Sequence, residues 1–267
     1  MDYNRICEMV AERTGKEVKL TEVTKNNGVT HTGIQFVGAG IMPTIYLDNF
    51  GDDKTDEEIA TKIAELLVEH RNDLNINAET LGSREYILAN VFGQLVNGNQ
   101  DFTGVPHTQF LDMAIVYRAR VNAGNDGVAS YKITNDLLRH AGISENELAD
   151  NATRNTKEMY GGYQIFDMFG MNIISNDTKV NGAIAITDKE FMDSVAAKLG
   201  NDLLVLPSST HECIVMPIVP EMDLNYCVSM VREINRDVVN PEEVLSDNAY
   251  RYTNGKLSII EPEEDNN

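Results

Sequence analysis

The sequence has no tryptophan and three cysteines, Cys7, Cys213 and Cys227. An odd set without a CxxC pair argues against a disulfide framework and against a cysteine-held structural zinc, and leaves three reduced thiols. Long apolar runs are missing as well. The nearest, MAIVY (113–117) and CIVMPIV (213–219), fall far short of the roughly 20 residues that cross a bilayer, so no membrane association is expected. The first twenty residues interleave charged and apolar side chains, which is not how a secretory leader reads, and a cytoplasmic protein is expected. Basic residues are scarce: 22 Lys and Arg stand against 42 Asp and Glu, a net charge of −20. Binding to phosphate backbones gains affinity from a clustered basic face, so direct nucleic-acid binding is excluded as the default. Phosphate loops are missing too, because Gly38-Ala-Gly40 runs into Ile-Met-Pro and Gly161-Gly162 into Tyr-Gln-Ile rather than into a GxGxxG or GxxxxGK[ST] pattern. No cofactor is expected.

With 42% hydrophobic residues the chain nevertheless has material for a sizeable core. Ile6, Met9 and Val10 at helical spacing, followed by Gly15, predict an opening helix. EVKLTEV (17–23) and VTHTGIQFV (29–37) predict a hairpin through Asn26-Asn27-Gly28. Ile59, Ile63, Leu66 and Leu67 form one stripe of a helix after Asp52–Asp56. YILANVFGQLVN (86–97) fits neither the helical nor the strand period. FLDMAIVYRARV (110–121) reads as a buried strand pairing with GVASYKI (127–133) across Gly124–Gly127. Thr134 or Asn135 predicts one helix start, and Ser144 with Glu147 has the capping-box spacing of another.

The glycine- and methionine-containing stretch 160–177 marks a boundary between halves. Beyond it, GAIAI (182–186), DLLVLP (202–207) and HECIVMPIV (211–219) read as strands, Thr187 or Asp188 caps one helix, MDLNYCVSMVREINRDVV (222–239) reads as another, and AYRYT-NG-KLSIIE closes as a hairpin. The expected class is α+β, with mixed or antiparallel sheets, flanking helices and two sub-domains, 1–160 and 161–261, before an acidic tail at 262–267.

Reactive residue types concentrate in Ser208-Ser209-Thr210-His211-Glu212-Cys213. On a strand His211 and Cys213 share a face, roughly 6–7 Å apart, and Glu212 faces the other way. A hydrolase would use His211 as general base and Cys213 or Ser209 as nucleophile; the plain alternative is a serine-stabilised turn beside a small core cysteine. No second histidine follows His211 at zincin spacing, where Val215 and Met216 stand, and His107, His140 and His211 have no characteristic metal spacing. Asp112 interrupts an apolar strand, so its carboxylate needs partners, either a neighbouring turn or Arg118 or Arg120. Asp112 and Glu212 are the candidates for a binding role.

MPTIYLDNF, VPHTQFLDMAIVYRARV, ELADNATRNT, DLLVLPSSTHECIVMP and NPEEVLSDNAYRY, taken in order, resemble an uncharacterised bacterial domain-of-unknown-function family of anaerobic gut bacteria and their mobile elements. The resemblance implies a cytoplasmic protein carried on or near mobile DNA and supplies no activity, cofactor or catalytic residue. Together with the charge, it leads to the expectation of a non-enzymatic interaction or regulatory protein whose acidic surface engages a basic, nucleic-acid-binding protein partner, with inhibition of that partner as one outcome. The hydrolase built on the 208–213 turn is the alternative.

Overall fold

The computed structural model describes residues 1–37, 44–51, 53–69, 78–121 and 129–261. The Gly38–Gly40 break, the Gly124–Gly127 turn and the acidic tail at 262–267 lie outside the described residues. Among the described residues, three antiparallel sheets are flanked by helices, an α+β architecture.

The first sheet follows from the opening pattern. Helix α1 (Tyr3–Thr14) starts where the Asp2 side chain accepts the Arg5 N–H and ends at Gly15, whose φ is 63°. Strands β1 (Val18–Thr24) and β2 (Thr30–Phe36) pair in the register Val18↔Phe36 to Thr24↔Thr30, and β3 (Ile45–Tyr46) adds to β2. Helix α2 (Asp56–Glu69) packs with α1 over this sheet. Ile6, Val10, Ile34, Leu47, Ile59, Ile63 and Leu67 form the buried layer between them, the two helical stripes meeting one strand face.

The ambiguous segment 86–97 changes period in its middle. After the short α3 (Ala78–Leu81), helix α4 (Arg84–Asn90) runs directly into strand β4 (Val91–Asn97). The Asn155 side chain donates to the Leu88 and Val91 carbonyls across this junction, 2.9 Å each. Strand β6 (Met113–Val121) pairs with β4 on one side. Its other side carries β5 (His107–Phe110) and then β7 (Ala129–Lys132) in succession. Helices α5 (Asn135–Ala141) and α6 (Glu145–Met159) start at the expected caps, Thr134 and Ser144. On α6, the Thr156 hydroxyl accepts the Gly93 N–H at 2.9 Å, so the helix satisfies the outer edge of β4.

The stretch 160–177 forms a hairpin. Strands β8 (Tyr163–Met168) and β9 (Met171–Asn176) are joined by Phe169 and Gly170 at φ 54° and 81°, the positive pair that a two-residue turn between twisted strands requires. GAIAI, expected as a strand, is instead a buried 3-10 helix, Gly182–Thr187. Its small residues let it pass close to the neighbouring turn: a Cβ on Gly182 would strike the Ser175 hydroxyl and lie 2.6 Å from the His211 carbonyl oxygen.

Helix α7 (Lys189–Leu199) is capped by Asp188, β10 (Asp202–Ser209) and β11 (Glu212–Pro217) are antiparallel, and α8 (Leu224–Asp237) is capped by Asp223. A short 3-10 turn, Pro241–Glu243, precedes β12 (Tyr250–Thr253) and β13 (Lys256–Ile259). The six strands order β13-β12-β10-β11-β9-β8. The core under this sheet also takes in Leu95 and Met113 from β4 and β6.

Candidate functional site

A cleft of about 540 Å³ opens where the first hairpin, the β6–β7 pair and the turn between β10 and β11 converge. The register sets its most unusual feature. Arg118 on β6 stands directly opposite Lys132 on β7, and like charges facing each other across paired strands repel. Both side chains line the cleft, and Lys25, from the end of β1, joins them. The Arg118 guanidinium is anchored to Ser130, donating from Nε to the hydroxyl at 3.0 Å and from Nη2 to the carbonyl at 3.1 Å. Lys25 Nζ lies 4.6 Å from the centre of the Tyr46 ring. Burial lowers the pKa of Arg118. Burial, then the charges of Arg118 and Lys25, lowers that of Lys132. Among the described residues none of the three cations has a carboxylate within ion-pair distance.

The same cleft is also lined by His211, Glu242 and Glu243. His211 lies in the turn, one residue before β11 begins. Its N–H donates to the Ser209 hydroxyl at 3.0 Å, and its carbonyl accepts from the Ser175 hydroxyl at 2.8 Å. The ring is oriented by the main chain. Asn181, in the left-handed region at φ 54°, donates its N–H to His211 Nδ1 at 3.0 Å; asparagine is among the residues that tolerate this backbone best. With Nδ1 accepting, the proton of the neutral ring sits on Nε2, which faces Glu243 Oε1 at 3.4 Å. Glu243 is fixed in turn, its carbonyl accepting the Thr210 N–H at 2.9 Å. Glu242 lies 3.6 Å from Nε2 of His31, whose Nδ1 is 2.9 Å from Asp48. The Asn27 side chain donates to the Pro241 and Val244 carbonyls and so ties the first hairpin to the turn that carries Glu242 and Glu243.

The structure separates the residues of the 208–213 segment. Cys213 is fully buried in the core under the six-stranded sheet, and burial pushes its thiol up to about 12. A thiol so held is protonated and enclosed, which removes it as a nucleophile. The expected shared face of His211 and Cys213 fails because His211 is in the turn rather than on the strand. Ser209 serves the turn through its bond from the His211 N–H. Neither it nor Glu212, half-buried at the start of β11, lines the cleft.

Asp112 lies elsewhere and makes a three-donor knot: Oδ2 accepts from the Ser246 hydroxyl at 2.6 Å and from Asn248 Nδ2 at 3.0 Å, and Oδ1 accepts from the Tyr250 hydroxyl at 2.6 Å. Asp112 does not interrupt a strand but lies in the turn between β5 and β6, and its partners are two residues ahead of β12 and the first residue of that strand, not Arg118 or Arg120. Burial first, and then the bond to Asp112, pushes the Tyr250 hydroxyl up. His107 stacks on Phe102 with ring centres 4.3 Å apart, and His140 sits in the last turn of α5; neither lines the cleft. Among the described residues no group of three or more His, Cys, Asp or Glu could hold a metal, and no helix is long and apolar enough to cross a membrane.

Lys25, Lys132, Asn181 and Glu243 escape sequence reasoning because each comes from a different segment. Glu243 alone had a signal, lying inside the NPEEV string. No curated protein and no solved structure matches the chain. A family model does match, over residues 3–169 and 162–254, and the chain belongs to that family of unknown function, DUF5688.

Proposed function

We propose that the chain binds a small anion, a phosphate- or carboxylate-bearing molecule, in the cleft, with Arg118 and Lys132 as its principal contacts and Lys25 closing over it. The observation that carries this reading is the cross-strand Arg118–Lys132 pair, which has no carboxylate at ion-pair distance among the described residues, in a chain with 42 acidic residues. A fold so rich in acids could neutralise two facing cations by a single substitution. Keeping them bare costs stability, which an incoming anion recovers. Arg118 presents a planar fork suited to phosphate or carboxylate, and Lys132 supplies a point charge beside it. The volume suits a small ligand.

Thermal unfolding in the presence of inorganic phosphate, pyrophosphate or citrate tests this. At about 100 times Kd a ligand adds about 2.7 kcal/mol of stability, a rise of several degrees for a chain of this size. Arg118→Met should cut the rise to about half or less while the variant unfolds cooperatively. An unchanged midpoint for wild type with all three anions would refute the reading. The acidic-surface expectation is a separate proposal supported by the net charge of −20; it requires that a basic partner be released as salt is raised.

A further inference from the structure

We infer that the ligand of this cleft is dipolar, its anionic group held by Arg118 and Lys132 and an ammonium group held by Glu242 and Glu243. The inference rests on the anion-binding reading and adds the second half of the molecule. Its ground is the separation of charge inside one cavity. Lys25, Arg118, Lys132, Glu242 and Glu243 all line the same 540 Å³ space, yet no ion pair joins the cations to the carboxylates. Among the described residues the Glu242 and Glu243 carboxylates pair with histidine nitrogens, at 3.6 and 3.4 Å.

Flexible side chains of opposite sign around one gap collapse onto each other unless something restrains them. Here the cations and the carboxylates are restrained by different anchors. Ser130 holds Arg118 back on its strand, and the Tyr46 ring carries the Lys25 ammonium. Asn181 fixes the His211 ring, and the Thr210 N–H fixes the Glu243 main chain. The result is a preorganised cleft that holds both signs of charge without pairing them. A ligand with both charges satisfies the two sets of groups at once, whereas a simple anion leaves the carboxylates unsatisfied. An amine-bearing phosphate ester is the simplest molecule of this class.

The test compares ω-aminoalkyl phosphates with alkyl phosphates of equal chain length, by titration calorimetry on the full chain at low ionic strength. At the chain length that spans the gap, the ammonium should tighten binding by about tenfold, which is about 1.4 kcal/mol. In the Glu242→Gln/Glu243→Gln variant that advantage should vanish while the alkyl phosphate still binds. Equal affinity of the two series for wild type at every length would overturn the dipolar ligand and leave the anion site standing. Failure of both series to bind would overturn the anion site and this inference together. An ammonium advantage that persists in the double variant would place its contact elsewhere and also overturn the assignment.

Discussion

The main-chain N–H of Asn181 points at Nδ1 of His211 from 3.0 Å, and this bond decides what the histidine can do. It leaves the ring proton on Nε2, facing Glu243 and the cleft, so the neutral His211 acts as a donor there and not as a base. A nitrogen-15 NMR spectrum of the imidazole should therefore show the Nε2–H tautomer of the neutral ring, and a predominant Nδ1–H form would contradict the geometry.

Gly182 holds this arrangement in place. A methyl group there meets the Ser175 hydroxyl, the His211 carbonyl oxygen at 2.6 Å and the Asn176 nitrogen at 2.8 Å, of which the last two are backbone atoms that cannot swing away. Gly182→Ala should cost about 1–3 kcal/mol, the usual penalty for forcing volume into a packed site, and should shift the His211 resonances. Urea denaturation read by circular dichroism gives the cost; a variant as stable as wild type would show that the turn can yield.

Asp112 offers a second check on the packing. Removing its carboxylate orphans the Ser246 and Tyr250 hydroxyls and the Asn248 amide. With hydrogen bonds to charged groups worth about 1.5–3 kcal/mol, Asp112→Ala should destabilise by about 2–4 kcal/mol. A loss below about 1 kcal/mol would mean that water replaces the carboxylate without cost.

Lys132 should behave in the opposite sense. Repulsion from Arg118 and Lys25 lowers its pKa after burial does, so Lys132→Met removes a repelling charge and keeps the aliphatic stem. Stability should stay the same or rise by about 0.5–1 kcal/mol, the pattern of a binding residue that costs the fold something, while phosphate affinity falls. A large destabilisation would assign Lys132 a structural partner instead.

The thiols give a pH test with a definite sign. The Cys213 thiol is raised from 9 to about 12 in the folded chain, so the unfolded chain loses this proton first. The contribution is complete below about pH 9 and fades as pH rises toward 12, because the unfolded state binds fewer protons over that window. Comparing wild type with Cys213→Ala isolates it from the buried tyrosines, which titrate in the same direction. In the folded protein a thiol reagent should label the half-buried Cys7 well before Cys213; comparable rates would show that the core opens readily.

What could be read from the sequence was local. The Asn26-Asn27-Gly28 and Asn254-Gly255 turns, the Asp188 and Ser144 caps and the α2 stripe each rest on neighbours within a few residues. GAIAI misled because short apolar runs bury equally well as strand or helix, and the deciding contact, Gly182 against His211, spans 29 residues of chain. Segment 86–97 stayed open between helix and strand because two periods meet at Asn90, where the Asn155 side chain bonds both sides of the junction. The 208–213 cluster drew attention for its chemistry, yet only His211 and the buried Thr210 line the cleft. The cations that distinguish the site were invisible, since only the β6–β7 register brings Arg118 and Lys132 face to face.

Titration of inorganic phosphate into wild type, Arg118→Met and Lys132→Met at low ionic strength tests the bare cation pair most directly. Saturable binding to wild type, weakened about tenfold or more in each variant, is the expected result. Phosphate binding of equal strength in all three proteins would contradict it.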